Sequence, residues 1–305
     1  MRCFMSMIDE RLETLLVVAR EKNFTRAGDI LGLTQPAVSG HMKRLEEELN
    51  VNLFLRKKGE LALSEEGEVV VEYAKRLKAL CEKMQLRIRD TKLNIRNIRV
   101  GITHTQESGL MAEVLSRVAI EKPELSITII TDNIKNLYDK LENFEIDVAI
   151  IEGRPAGQDF NYMMIDTDYL VCVAAPTHPF AKKTVVTLGE LKAQHLIMRL
   201  PTSATMKLFR STLESVGENI DDFDVAVEVD NIATIKDLVR KEIGVSVLAR
   251  GACGKEIRSK KLIALPIENL SMVRETNIVY HKTFNHTEIL DWIAKLYGDL
   301  AKSAT

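Results

Sequence analysis

Gln35, Ser39 and Lys43 stand four residues apart, so on a helix they share one face. Their side chains suit the edges of base pairs. A glutamine amide can pair bidentately with adenine, and a lysine ammonium can donate to guanine or to phosphate. An ordinary solvated helix face has the same composition. A second group of residues suits a small anion. Thr103-His104-Thr105-Gln106 follows an apolar run directly, and Thr202, Ser203 and Thr205 open a helical pattern. Hydroxyls and backbone N–H groups at such places can hold a carboxylate, sulfate or phosphate, or can serve only as helix caps. A partial charge on His104 near neutral pH would help an anion. Arg199 can neutralise a ligand carboxylate or pair with a nearby acid. Asn231 and Thr234 follow a further strand-like run and can close the same cleft, with capping as their other role.

Three helical patterns must position the first group. Leu12, Leu15, Leu16 and Ala19 share one face. A second pattern, from about Thr25 to Leu31, is expected to bury Ala27, Ile30 and Leu31. Gly32-Leu33 makes a short turn, and Thr34 caps a third helix that tolerates Pro36 in its first turn. Val38, Met42, Leu45 and Leu49 form its inner face. Two helices joined by so short a turn are a helix-turn-helix candidate. Phe54-Leu55 and Leu61-Ala62-Leu63 then flank a charged tip, which reads as a hairpin wing. Thr25, Thr34 and Arg56 suit phosphate positioning, and Lys57 and Lys58 suit phosphate or minor-groove contact, although Thr34 can be only a cap and the wing tip only a soluble turn.

Ser64 caps a long helix, residues 65 to about 90. Val69, Tyr73, Leu77, Leu80, Met84 and Ile88 make a thin apolar stripe along it. A stripe on so polar a helix has no core of its own to join, and pairing with a second copy covers it. From residue 98 the pattern changes to short apolar runs between helices. Strands are expected at 98–102, 127–130, 148–151, 170–174, 225–229, 245–248 and 277–280. Helices are expected at 110–119, 134–141, 204–216, 232–241 and 287–297. This predicts an α/β class with mostly parallel layers in two lobes around a cleft. The domain reading is 1–64 winged helix-turn-helix, 65–92 linker and dimerisation helix, and 93–305 effector-binding part. Within the last, lobe I is 93–168 with 272–305, and lobe II is 169–271.

Composition narrows the function classes. The chain has 305 residues and a formal net charge of −2, so any nucleic-acid surface must be local. Its 4 cysteines are far apart, which argues against a zinc site or a disulfide framework. No apolar run approaches a membrane span, and the N-terminus lacks a secretory pattern, so a cytoplasmic setting is expected. No metal is called for and no cofactor is required. No Gly-x-Ser-x-Gly elbow, phosphate loop or His-rich metal motif is present. Cys253, in Gly251-Ala252-Cys253-Gly254, has no nucleophile's partner nearby in sequence. An α/β enzyme and a non-regulatory small-molecule binding protein remain the alternatives to a DNA-binding regulator.

Five linked elements carry a resemblance. Phe24-Thr25-Arg26-Ala27, Leu33-Thr34-Gln35-Pro36-Ala37-Val38-Ser39, Leu45-Glu46-Glu47-Glu48-Leu49, Leu53-Phe54 with Arg56, and Leu63-Ser64-Glu65-Glu66-Gly67 resemble the LysR-type transcriptional regulators. Gly101, Pro123 and Asp147-Val148-Ala149-Ile150 are similar to landmarks of that family's periplasmic-binding-protein-like effector domain. Ile151-Glu152-Gly153 and the stretch from Met198 to Thr205 resemble the branch of sulfur-assimilation and carbon-fixation regulators. Thr103 to Gln106 is similar to the anion-binding stretch of the cysteine-biosynthesis regulator. The resemblance implies that Pro36 contacts a thymine methyl. It also implies dimers through the long helix, often paired into tetramers that bend double-stranded promoter DNA, and RNA polymerase as a further partner. The chain departs from the family at Gly28, where alanine is usual, and at Gly40, where arginine or lysine is usual. At Gly40 one phosphate or base contact is either missing or supplied by His41 and Lys43. Ile151 replaces a ligand-contacting threonine. The polar walls favour a small anion, carboxylate or sulfur metabolite as effector, and Met198 and Met206 argue weakly for a larger apolar one.

Overall fold

The computed structural model describes residues 9–57, 60–93, 96–154 and 159–303. The chain forms two compact units, one ending with the long helix and one built from the elements after it. In the first, Asp9 caps α1 (Glu10–Glu21) and Asn23 caps α2 (Phe24–Leu31), its side chain accepting the Thr25 and Arg26 N–H groups. Thr34 opens α3 (Gln35–Leu49) by accepting the Ala37 N–H at 3.4 Å. The three helices close over Leu15, Met42, Leu45 and Leu53, with Val18, Ala27 and Val38 beside them.

Two residues expected in this core lie outside it: Ile30 is 52% exposed and Leu49 43%. In α2 the inward position belongs to Gly28, packed so tightly against the turn that a Cβ there would meet the Leu33 carbonyl oxygen at 2.6 Å. Leu49 ends α3, where Asn50 turns the chain in a left-handed conformation and fully buried Leu53 fills the space instead. The wing is an antiparallel pair, β1 (Phe54–Lys57) and β2 (Glu60–Leu63), with Phe54 opposite Leu63. The Phe24 and Phe54 rings meet edge-on at 5.7 Å, which ties α2 to the wing.

Ser64 then turns the corner. Its Oγ accepts the Gly67 N–H and donates to the Asn52 carbonyl. A Cβ at Gly67 would lie 2.1 Å from the Leu53 carbonyl oxygen, so the close approach admits only glycine. The long helix is α4 (Glu65–Leu93). Val71, Ala74 and Ala79 are buried apolar positions on it, whereas all six residues of the stripe are exposed, from 38% at Met84 to 57% at Tyr73.

The second unit runs through β3 (Arg96–Ile102), α5 (His104–Ser108), α6 (Met111–Glu121), β4 (Leu125–Thr131), α7 (Ile134–Glu142) and β5 (Val148–Glu152). There follow β6 (Phe160–Ala174), α8 (Leu188–Lys192), β7 (Leu196–Arg199), α9 (Ala204–Ser215), β8 (Val225–Val229) and α10 (Ile232–Arg240). The chain ends with β9 (Ser246–Ala249), α11 (Gly254–Arg258), β10 (Ile263–Leu265), β11 (Val273–His281) and α12 (Thr287–Ser303). The principal sheet has 7 strands in the order β10-β6-β11-β5-β3-β4, with β9 also on β6, and β7 pairs with β8.

The expectation of mostly parallel layers is corrected here. Between strands of the described residues, parallel ladders join β3 to β4 and β5, and β7 to β8, with isolated parallel bridges at Val186↔Ile267 and Leu196↔Val245. β11 runs antiparallel to β5 and β6, and β6 antiparallel to β9 and β10. The cause is β6, a single strand of 15 residues. Only Leu170–Ala174 reads as an apolar run, because the first part of the strand is half solvated and carries polar residues. That first part pairs with β11 in lobe I, from Phe160↔His281 to Tyr169↔Val273. The last part pairs with β9 and β10 in lobe II. Apolar clusters around Val100 and Leu115 and around Leu137 and Ile151 flank the lobe I sheet, and a third, around Phe209 and Val247, fills lobe II.

Candidate functional site

Helix α3 presents the first candidate face. Val38, Met42 and Leu45 are buried, while Gln35, Pro36, Ser39 and Lys43 are exposed on the other side. Thr25 and Thr34 are also exposed, at the starts of α2 and α3. Lys43 sits in a loose pair with Glu47 at 3.7 Å, which leaves its ammonium in solvent. His41 is half-buried and its Nδ1 is 2.9 Å from the hydroxyl of buried Thr14, so it is anchored to α1. Gly40 has nothing within 4 Å of its Cβ direction. Arg56 is exposed on β1; Lys58 and the side chain of Lys57 lie outside the described residues.

The second candidate site lies where β3, β5, β7 and β11 meet the starts of α5 and α9. Thr103 caps α5 and its hydroxyl donates to Glu152 Oε1 at 2.7 Å. Gln106 donates to the same oxygen at 3.0 Å and to Thr276 Oγ1 at 3.3 Å. Arg274, the second residue of β11 where the chain re-enters lobe I, reaches toward both lobes. Its Nη2 donates to Thr105 Oγ1 at 3.4 Å and its Nη1 to Thr205 Oγ1 at 3.5 Å. Ser203 caps α9 by accepting the Met206 N–H at 3.2 Å. All of these side chains are buried.

Arg199 ends β7 with its side chain only 4% exposed, and its Nη2 donates to Asp230 Oδ1 at 3.0 Å. Burial pushes this guanidinium below its ordinary value, the Asp230 hydrogen bond and the nearby Glu152 charge raise it, and the Arg274 charge lowers it further. Arg199 therefore has a carboxylate partner already, the alternative that its sequence context left open. His104, from lobe I, places Nε2 3.7 Å from Asp230 Oδ2 and Nδ1 3.7 Å from Glu107. Burial also raises the Asp168 carboxyl, which sits opposite Arg274 on β6; the Arg274 charge opposes that rise.

The structure thus brings Thr103, Thr105, Gln106, Arg199, Ser203 and Thr205 to one region. Asn231 and Thr234 are exposed, and Asn231 caps α10 through the Thr234 N–H at 3.0 Å. Thr202 is exposed as well. Met198 and Met206 belong to the lobe II core. Glu152, Asp230, Arg274 and Thr276 were not singled out from the sequence. Glu152 carried a signal, a carboxylate closing a strand that is buried throughout. Arg274 carried none, because its partners are 69 and 169 residues away. Among the described residues, no group of three or more His, Cys, Asp and Glu is arranged to hold a metal ion, and no helix is long and apolar enough to cross a membrane.

Residues 10–68 match the model described as bacterial regulatory helix-turn-helix protein, lysR family, and residues 92–300 match the LysR substrate binding domain. A probable RuBisCO transcriptional regulator of Trieres chinensis is 28% identical over 288 residues, covering 92% of this chain and 93% of that one. The HTH-type transcriptional regulator CysL of Bacillus subtilis (strain 168) is 24% identical over 279 residues, covering 91% and 92%. Full-length CbnR, solved in complex with its target DNA, shares the fold with a TM-score of 0.68 at 17% identity, over 96% of this chain and 99% of that one.

Proposed function

This chain belongs to the LysR family of DNA-binding transcriptional regulators with a small-molecule effector-binding domain, and from that premise we propose how it works. Gln35, Pro36 and Ser39, with Lys43, read base edges in the major groove; Thr25, Thr34, His41, Arg56, Lys57 and Lys58 hold phosphates. Two copies pair through the exposed stripe of α4 and place two such helices on half-sites of promoter DNA, and dimers associate further into tetramers. The effector is a small anion, bound between the lobes by Arg199, Arg274, Thr105, Ser203 and Thr205, with Thr103, His104 and Gln106 on the lobe I side and Thr202, Asn231 and Thr234 at the rim. Genes of carbon or sulfur assimilation are the regulated class that the likeness to the RuBisCO and CysL regulators suggests. The chain acts in the cytoplasm, where RNA polymerase is its further partner.

One observation carries the effector reading. Two buried guanidiniums lie close enough for the Arg274 charge to act on Arg199, and Arg274 hydrogen-bonds a hydroxyl of each lobe. Buried charges are costly unless paired; Arg199 is paired with Asp230, but among the described residues Arg274 is held by hydroxyls alone, so a ligand anion there would gain from its charge and draw on both lobes together. Its binding would shift the balance between lobe arrangements and so change the geometry presented to DNA. The test is a gel-shift and bending assay on the chain's own upstream DNA, with O-acetylserine, sulfate, sulfite and a panel of small carboxylates. One anion is expected to change mobility or bend angle, and Arg274→Gln is expected to abolish that response while leaving effector-free DNA binding intact. A response that persists unchanged in Arg274→Gln refutes the site.

A further inference from the structure

We infer that the effector carries a hydrogen-bond donor, a hydroxyl or an ammonium, beside its anionic group, which makes it a small hydroxy acid or amino acid. The inference rests on the anion-binding reading of the cleft and names the ligand's second group. Its basis is Glu152, 6% exposed at the end of β5. Oε1 takes the donors from Thr103 and Gln106, while Oε2 is buried with no hydrogen-bond partner. Arg199 and Arg274 each have a buried Nε in the same condition. Their terminal nitrogens are engaged by Asp230, Thr105 and Thr205, so each guanidinium is anchored at one side and unsatisfied at another.

Such groups are rare in folded proteins, because an unpaired buried polar atom forfeits its hydration. Here three of them, one acceptor and two donors, belong to side chains near enough that the Glu152 and Arg274 charges both act on Arg199. The cations and the carboxylate do not cancel one another directly. Among the described residues no ion pair joins Glu152 to either guanidinium, although the Glu152 charge acts on Arg199. A bare anion such as sulfate or acetate would satisfy the guanidiniums but bring a second negative charge toward Glu152, with nothing to donate to Oε2. A molecule with an anion at one end and a donor at the other satisfies all three atoms. Thr276 does not supply that donor: its Oγ1 accepts from Gln106, and Glu152 Oε2 has no partner.

The test uses the full chain and three probes with one carbon skeleton: L-alanine, L-lactate and propionate, titrated by calorimetry with thermal shift alongside. They carry an ammonium, a hydroxyl and neither. At least one donor-bearing probe is expected to bind about ten- to a hundredfold tighter than propionate, the range for a hydrogen bond to a charged group. The isosteric Glu152→Gln is expected to bring that ratio to within about twofold while propionate binds no worse. Equal binding of all three probes by the wild-type chain, a preference that survives Glu152→Gln, or no binding by any probe overturns the inference. The wild-type comparison needs no variant, so a folding defect in Glu152→Gln does not blunt it. Arg199→Gln separates the two levels. If it abolishes binding of all three probes while propionate equals the others, the anion site stands and only the donor is lost. If it changes nothing, the anion site itself fails.

Discussion

Replacing Gly40 with arginine tests the placement of α3 on two independent scales. Gly40 lies inside α3, and nothing stands within 4 Å of the direction a Cβ would take. A glycine in a helix interior costs about 1 kcal/mol relative to alanine, and arginine is nearly as favourable as alanine. For a unit of this size, about 1 kcal/mol moves the melting temperature by roughly 4–8 °C. Gly40→Ala should therefore raise the transition of the N-terminal unit by about that amount and leave the salt dependence of DNA binding unchanged. Gly40→Arg should give a similar rise and add a cation between Ser39 and the anchored His41. If that guanidinium reaches a phosphate, the slope of log affinity against log salt steepens by about 0.9 per protomer. The gain should be nearly equal on specific and scrambled duplexes, since phosphate contacts carry no sequence information. Thermal unfolding followed by circular dichroism and fluorescence anisotropy across a salt series measure the two effects. An alanine variant no more stable than wild type would refute the open helix-interior position. An arginine variant with the salt slope of the alanine variant would refute the approach of this face to the DNA backbone.

Gly67→Ala should act in the opposite sense, because its Cβ would meet backbone rather than open space. Overpacking of this kind costs about 1–3 kcal/mol, and chemical denaturation of the N-terminal unit should show it; a variant as stable as wild type would remove the close approach to Leu53. Cys172 and Cys253 have thiols pushed up to about 12 by burial, so they should resist a maleimide at pH 8 until the chain is unfolded. Labelling of either at the rate of a small free thiol would contradict the packed lobe II core. Introducing Leu77→Glu with Leu80→Glu on the exposed stripe should convert the assembly to monomers in sedimentation velocity without lowering helix content. An unchanged sedimentation coefficient would place the subunit interface elsewhere.

The N-terminal unit was almost wholly legible in the residues. Caps at Thr34 and Ser64, the Gly32-Leu33 turn and the apolar spacing of Val38, Met42 and Leu45 are local features, and local hydrogen bonding and helical period set them. The two misplaced residues, Ile30 and Leu49, sit at helix ends, where period alone does not say which way the chain leaves. In the second unit β5 and the largely solvated β8 were both found, whereas the polar first part of β6 was missed, and so was β7, whose four buried residues are too few to show a period.

Residue period and local hydrogen bonding thus defined most elements whose cause lies within one turn or one strand, together with the polar residues that begin α5 and α9. The antiparallel return of β11 between β5 and β6 has no such local cause, since strand direction follows from how the lobes are threaded and not from composition. The same return carries Arg274 to hydroxyls 69 and 169 residues distant and brings its charge, with that of Glu152, to bear on Arg199. Charges so far apart along the chain become a site only when burial removes the water between them, and no local pattern records that.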